Sequence, residues 1–251
     1  MHDKLNIFFI GDIVGKPGRR AVRELLPSLI DECSIDLVIA NGENASGGFG
    51  LTPEIAEELV DLDVDVITSG NHIWDNKSII DYIDDKAWLL RPANYPSGVP
   101  GIGSGVFETP IGSKIGVINL EGRVFMDPVD CPFRKGDEIV ETMKKKVSVI
   151  IVDFHAEATS EKVAMGWFMD GKVSAVIGTH THVQTSDERI LPKGTAYMTD
   201  AGMTGSVDSI IGVQVDKALK RFLTKMPQKF ETAKKNIQLQ GVVVSVESES
   251  G

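Results

Sequence analysis

The chain has 251 residues, 42% hydrophobic and 25% charged, which is enough for one domain with a buried core and matches the charge content of a soluble globular protein. A formal net charge of -10 opposes binding to a nucleic-acid backbone or an anionic membrane, so no stable nucleic-acid partner and no membrane association are expected. The two cysteines, Cys33 and Cys131, lie far apart and argue against a disulfide framework or thiolate zinc site. With an opening apolar run too short for a signal peptide, and no apolar window of the roughly 18–20 residues needed to span a bilayer, they point to the cytoplasm.

Short apolar runs predict strands at Asn6–Ile10, Asp36–Ala40, Val64–Thr68, Lys114–Leu120, Val147–Phe154, Val173–Ile177 and Val242–Val246. Between the early strands, Val22, Leu25, Leu26, Leu29 and Ile30 share one face of a predicted helix over Arg19–Glu32. Thr52-Pro53 reads as an N-cap and first-turn proline opening a helix to about Leu62. Ser160 to Gly171 repeats that logic, with Ser160 as cap and Val163, Ala164, Trp167 and Phe168 as its buried stripe. The Pro/Gly-rich stretch Arg91–Gly105 and the segment Glu121–Asp137 read as irregular, and about 121–140 is a candidate small cap within a single domain, 1–251. Lys144–Lys146 reads as the solvated end of a helix. Strands alternating with helices give an α/β fold.

The residues just beyond each strand are more informative, because ligands gather at the carboxyl ends of strands in such folds. The runs end in Asp12, in Glu43 and Asn44, in Asn71 and His72, in His155, and in His180 and His182. Of the five histidines only His2 is elsewhere. Singly, each group has a structural use: Asp12 can cap a turn, an Asn beside Gly can form an Asx-turn, and a lone His can simply be hydrogen-bonded. Jointly, they are all oxygen or nitrogen donors at one edge of the sheet, which points to a metal site. Gly101, Gly103 and Gly105 lack the spacing of a dinucleotide loop, and Trp74, Met126 and Phe133 are weak candidates for a base pocket.

The blocks Gly11-Asp12, Asn41-Gly42-Glu43-Asn44, Gly70-Asn71-His72, His155 and Gly178-Thr179-His180-Thr181-His182 resemble the calcineurin-like metallophosphoesterases. Two departures, Val14 where that family has His and Glu43 in NGEN where it has a bridging Asp, are those of the YmdB-type phosphodiesterases, whose blocks GDIVGKPGRRAV, RPANYP, DFHAEATSEK and TDAGMTG also match. The resemblance implies a four-layer αββα sandwich with a small cap and a two-metal site. In that site Glu43 bridges, Asp12, Asn44 and His182 complete the first metal position, and Asn71, His155 and His180 complete the second.

Two ions about 3.5–4 Å apart can hold a bridging hydroxide and clamp the attacked phosphoryl group. Ligation by oxygen and nitrogen alone suits iron, manganese or zinc, and the resemblance favours iron or manganese. His72, directly after Asn71, is the expected general acid for the alkoxide leaving group. The expected function is hydrolysis of a small phosphodiester, a 2',3'-cyclic and also a 3',5'-cyclic nucleotide. Two alternatives stay open: a metal-dependent phosphomonoesterase, for which Lys16, Arg123, Arg134 and Lys162 offer charge, and a regulatory metal-binding protein with little turnover. Self-association into a homo-oligomer also stays open.

Overall fold

The computed structural model describes residues 4–251. Strand β1 (Lys4–Ile10) leads through β2 (Asp12–Ile13) into α1 (Gly15–Cys33), β3 (Leu37–Asn41), α2 (Pro53–Val60) and β4 (Val66–Thr68). An irregular stretch then reaches β5 (Ser104–Glu108), β6 (Lys114–Glu121), α3 (Pro132–Met143), β7 (Val149–His155), α4 (Thr159–Met169) and β8 (Ala175–Thr179). The chain closes with β9 (Arg189–Ile190), β10 (Ala196–Met198), β11 (Met203–Ser206), α5 (Val215–Thr224), β12 (Ile237–Gln238) and β13 (Gly241–Glu247).

The strands form a four-stranded sheet, β13-β1-β3-β4, a six-stranded sheet, β5-β6-β7-β8-β10-β9, and a small sheet, β12-β11-β2. β1, β3 and β4 run parallel, as do β6, β7, β8 and β10. Every strand expected from an apolar run is present, and burial explains why those runs are continuous. Leu5, Ile7 and Phe9 of β1 pack with Ile115 and Val117 of β6 and Ile151 of β7 in one cluster. Phe8 and Ile10 turn the other way, onto Val22, Leu26 and Leu59. Ile118, Ile150 and Val152 meet Val140, Met165 and Met169. No helix among the described residues is long and apolar enough to cross a membrane.

The helices differ from expectation in instructive ways. Thr52 caps α2 as expected, accepting from the Ile55 amide at 3.3 Å, but α1 begins earlier, at Gly15, and Leu25 falls outside its buried stripe. Helix α3 forms where an irregular cap segment was expected; its inward Val140 and Met143 are separated by the polar Glu141 and Thr142, and Gly136 lets Met169 and Leu120 come close. Lys144 follows it as an exposed C-cap. The largest correction is in α4, which is capped by Ala158 instead of Ser160 and buries Lys162, Met165, Gly166 and Met169. Two contacts impose that rotation: Gly166 lies against the Tyr197 ring, and Lys162 forms a buried ion pair with Asp200. Trp167 and Phe168 are left outside, where Arg189 and Lys172 stack over their rings.

Candidate metal centre

The strand-end residues converge, but from more than one sheet. β3 and β4 of the four-stranded sheet lead into Glu43 with Asn44 and into Asn71 with His72, β1 leads into Asp12 at the start of β2 in the small sheet, and β7 and β8 of the six-stranded sheet deliver His155 and the His180-Thr181-His182 turn. Asp12, Glu43 and His155 are fully buried. Gly70 is required for this approach, because a Cβ there would overlap the His155 imidazole.

One group of donors surrounds His155. Its Nε2 lies 3.1 Å from Glu43 Oε1, 3.2 Å from Asn71 Oδ1 and 3.0 Å from His180 Nδ1. The other nitrogen of each ring is already engaged. His155 Nδ1 is 2.9 Å from Thr179 Oγ1, whose hydroxyl donates to Asp153 at 2.7 Å, and His180 Nε2 is 3.1 Å from Glu157 Oε2. Neutral imidazoles held this way turn two lone pairs toward each other and toward two acceptor oxygens, an arrangement that a cation satisfies. Glu43, His155 and His180 indeed have the mutual spacing of a metal-binding trio.

A second group lies beside it. Asp12 Oδ2 accepts the His180 amide at 3.0 Å, but its buried Oδ1 has no hydrogen-bond partner and faces His182 Nε2 at 3.8 Å. His182 Nδ1 lies 3.0 Å from the Ile211 carbonyl, to which it donates, freeing Nε2 as a donor of electrons. A buried carboxylate oxygen without a partner is costly, so this orphan is the feature a cation most directly explains. The Asn44 amide oxygen lies 2.8 Å from His72 Nδ1 and its nitrogen faces His182 and Glu43, so as a ligand it needs its amide turned over.

The charges are tightly linked. Burial raises the Asp12 carboxyl despite His182 and His155, whereas His155 and His72 overcome burial and hold Glu43 below the carboxylate range. Against burial, Glu43 and Asp12 push His155 up to about 9, while burial and His155 lower His180 to about 3. A cation among them reverses the logic for His155, because metal ligation requires its neutral form.

The donor blocks identify the chain. It belongs to the YmdB-like protein family, which matches residues 8–251. This YmdB-like chain is 50% identical to a 2',3'-cyclic-nucleotide 2'-phosphodiesterase of Bacillus subtilis (strain 168), over 98% of the chain and 93% of that relative. It is 38% identical to a putative phosphatase/phosphodiesterase of Mycoplasma genitalium, over 97% of the chain and 88% of that relative. Among solved structures, a hypothetical protein from Thermus thermophilus matches with a TM-score of 0.89 at 42% identity, covering 96% of this chain and 98% of that one. A phosphatase from Mycoplasma pneumoniae matches with a TM-score of 0.91 at 38% identity, covering 99% and 90%.

Glu43, Asn44, His180 and His182 form the floor of a cavity of about 770 Å³, walled by α5 and the segment after it, and the remaining donors, Asp12, Asn71 and His155, are not among its lining residues. No residue of 121–140 lines it among the described residues. Met126 and Phe133 pack on the α3–α4 cluster and Trp74 on the α1–α2 cluster, and none of them lines this cavity.

Sequence reasoning missed the support beneath the His-Thr-His turn. His180 and His182 have φ of 102° and 63°, conformations that L-residues seldom adopt and that surrounding contacts must hold. Asp200 does so from below: Oδ2 accepts the Thr181 amide at 3.1 Å and its hydroxyl at 2.7 Å, and Oδ1 accepts the Gly202 amide at 2.8 Å. Lys162 neutralises it at 2.6 Å, with both side chains 1% exposed. Lys162 is therefore spent on the turn and is not available to a substrate. The signal was its placement on α4 in register with small and apolar residues, Met165, Gly166 and Met169, over the next two turns.

Proposed function

We propose that this chain is a metal-dependent phosphodiesterase that opens 2',3'-cyclic nucleotides, with 3',5'-cyclic nucleotides as a further substrate. The observation that carries the reading is the orphaned, buried Asp12 Oδ1, which faces His182, a residue of the cavity floor, beside the facing imidazole lone pairs of His155 and His180. Glu43, Asn71, His155 and His180 would hold one ion, and Asp12, Asn44 and His182, sharing Glu43, a second. Iron or manganese suits this donor set, and zinc is the alternative. Such ions would supply charge that polarises the phosphoryl group and acidifies water.

His72 is the residue of this chain that moves the proton. Phe49 meets its ring edge-on at 5.0 Å and it lines the cavity, which leaves the imidazole placed to protonate the departing ring oxygen. The relative from Bacillus subtilis, named for the same reaction class, supports this reading. We further read the two facing sheets, with α1 and α2 outside one and α3 and α4 outside the other, as a four-layer αββα sandwich in one domain. The free thiols of Cys33 and Cys131 fit the cytoplasm.

The test is metal analysis of purified protein joined to parallel turnover of 2',3'- and 3',5'-cyclic nucleotides and of a phosphomonoester. The expected result is two ions per chain and diester turnover dominating. Fully loaded protein without diester turnover overturns the enzymatic reading, and monoester turnover in excess favours the phosphatase.

A further inference from the structure

The cavity extends well past the metal-centre donors, and its far wall has a character at odds with the whole chain. Lys217, Arg221 and Lys225 line it at intervals of four residues along α5 and its C-cap, so they share one face and advance about 6 Å per step. Of these, only Lys217 has a carboxylate partner among the described residues, Glu231 at 3.8 Å. Lys229 extends the same wall. Aromatic rings line the same cavity: Phe230, which packs on Phe49 with centroids 4.3 Å apart, and Phe222, which follows Arg221 on α5 and is 65% exposed.

A cyclic mononucleotide carries one negative charge, and the metal centre is where that charge goes. It leaves the cationic stripe without a counterpart. A ligand that satisfies both ends has its reactive phosphate at the floor and further phosphates repeated at intervals behind it. Cations tracking a backbone beside exposed rings for base stacking are the recurring features of grooves that bind single strands without reading sequence. In a protein of net charge -10, such a stripe is a local exception and confines the strand to this cavity.

We propose that the substrate of this site includes short single-stranded oligoribonucleotides ending in a 2',3'-cyclic phosphate, with the preceding phosphates on Lys217, Arg221 and Lys225 and a base against Phe222 or Phe230. The proposal rests on the diesterase reading above and deepens it. Water adds to the terminal phosphorus, one ring P–O bond breaks, and the departing oxygen takes up a proton. The strand then ends in a phosphate monoester beside a free hydroxyl. Binding of this kind is weak and salt-dependent, which qualifies the expectation of no nucleic-acid partner without contradicting the overall charge.

The test compares a uridine trinucleotide ending in a 2',3'-cyclic phosphate with uridine 2',3'-cyclic monophosphate, on manganese-loaded protein. The trinucleotide should show the lower KM at low salt. Combined Lys217→Gln, Arg221→Gln and Lys225→Gln, at partly or fully exposed positions, should raise that KM by about 10-fold or more while leaving mononucleotide turnover within about twofold. Fluorescence anisotropy with a labelled 2'-O-methyl trinucleotide ending in a 3'-phosphate should give a slope of log binding constant against log salt of about -1.4 for its two internucleotide phosphates, and the variant should lose it. Equal KM for the two substrates, or a variant that loses both equally, overturns the proposal. If neither substrate is turned over, the diesterase reading falls and this substrate assignment falls with it, while the anisotropy then reports only whether the groove binds strands.

Discussion

At and behind the floor of the cavity, Asp12, Glu43 and His155 are fully buried and nearly every ring nitrogen has an assigned neighbour, whereas on the α5 wall Arg221, Phe222 and Lys225 stand in solvent. The floor is assembled from the ends of strands whose apolar residues form the core, so its geometry is fixed by packing that the polar groups do not supply. The wall is one helix that buries only Ala218 and depends little on which side chains it displays. Changes at the floor should therefore be read in metal content and chemistry, and changes on the wall in affinity and salt dependence.

The sharpest way to break this comparison is to remove the floor's own donors. Asp12→Ala, Glu43→Ala or His155→Ala should take turnover to background and leave fewer than two ions per chain by elemental analysis, while a cooperative melt persists. Loss of the fold in all three would show that the donors carry the core.

His72→Ala should come next in size, keeping both ions but slowing substrates with alkoxide leaving groups by about 10²-fold or more. A nitrophenyl diester, which needs little protonation, should lose far less. Equal losses on both substrates would remove the acid role, and loss of an ion would place His72 among the ligands.

Asp200→Asn sharpens the comparison one layer deeper, because it touches neither metal nor substrate. It should weaken manganese affinity by about 10–100-fold, as changes behind metal ligands do, with KM for substrate little changed at saturating metal. Removing one member of a buried ion pair should also cost about 3–5 kcal/mol of stability. Lys162→Met should behave similarly. Unaltered metal affinity in both would show the pair to be structural only.

The smallest effect lies behind the floor. Burial pushes the Glu121 carboxyl, which accepts the Tyr95 hydroxyl at 2.8 Å, up to about 7 from an ordinary 4.5. Between those values the native state binds more protons than the unfolded chain, so stability is fully present below the lower one and is lost as pH rises through the upper one. Unfolding in chelator between pH 5 and 8 should show a decline on the order of 3 kcal/mol, which Glu121→Gln should flatten. An unchanged slope in the variant would assign the decline elsewhere.

How much of this was legible in the sequence can be understood from the same contrast. Strands covered on both faces leave continuous apolar runs, and polar residues ending those runs stand out, which is why β1, β3, β7 and β8 and their donors were readable. Helix α4 was misread because apolarity is a poor guide where the buried face contains Lys162 and Glu161, each compensated by a partner far away in sequence. Helix α3 hid because Gly136 packs by being small, which leaves no apolar signal. The α5 stripe was invisible because cations four apart do not form a run and only the fold turns them toward the donors.

The two positive-φ histidines have a kinetic consequence. Backbone conformations of this kind cost on the order of 1–3 kcal/mol each, and here Asp12 and Asp200 hold them in place. The turn is thus already in its working shape when an ion arrives, so no loop needs to reorganise around it. Metal uptake should follow a single second-order phase whose rate is set by how fast each ion sheds its water, and manganese should load sooner than ions that exchange water slowly.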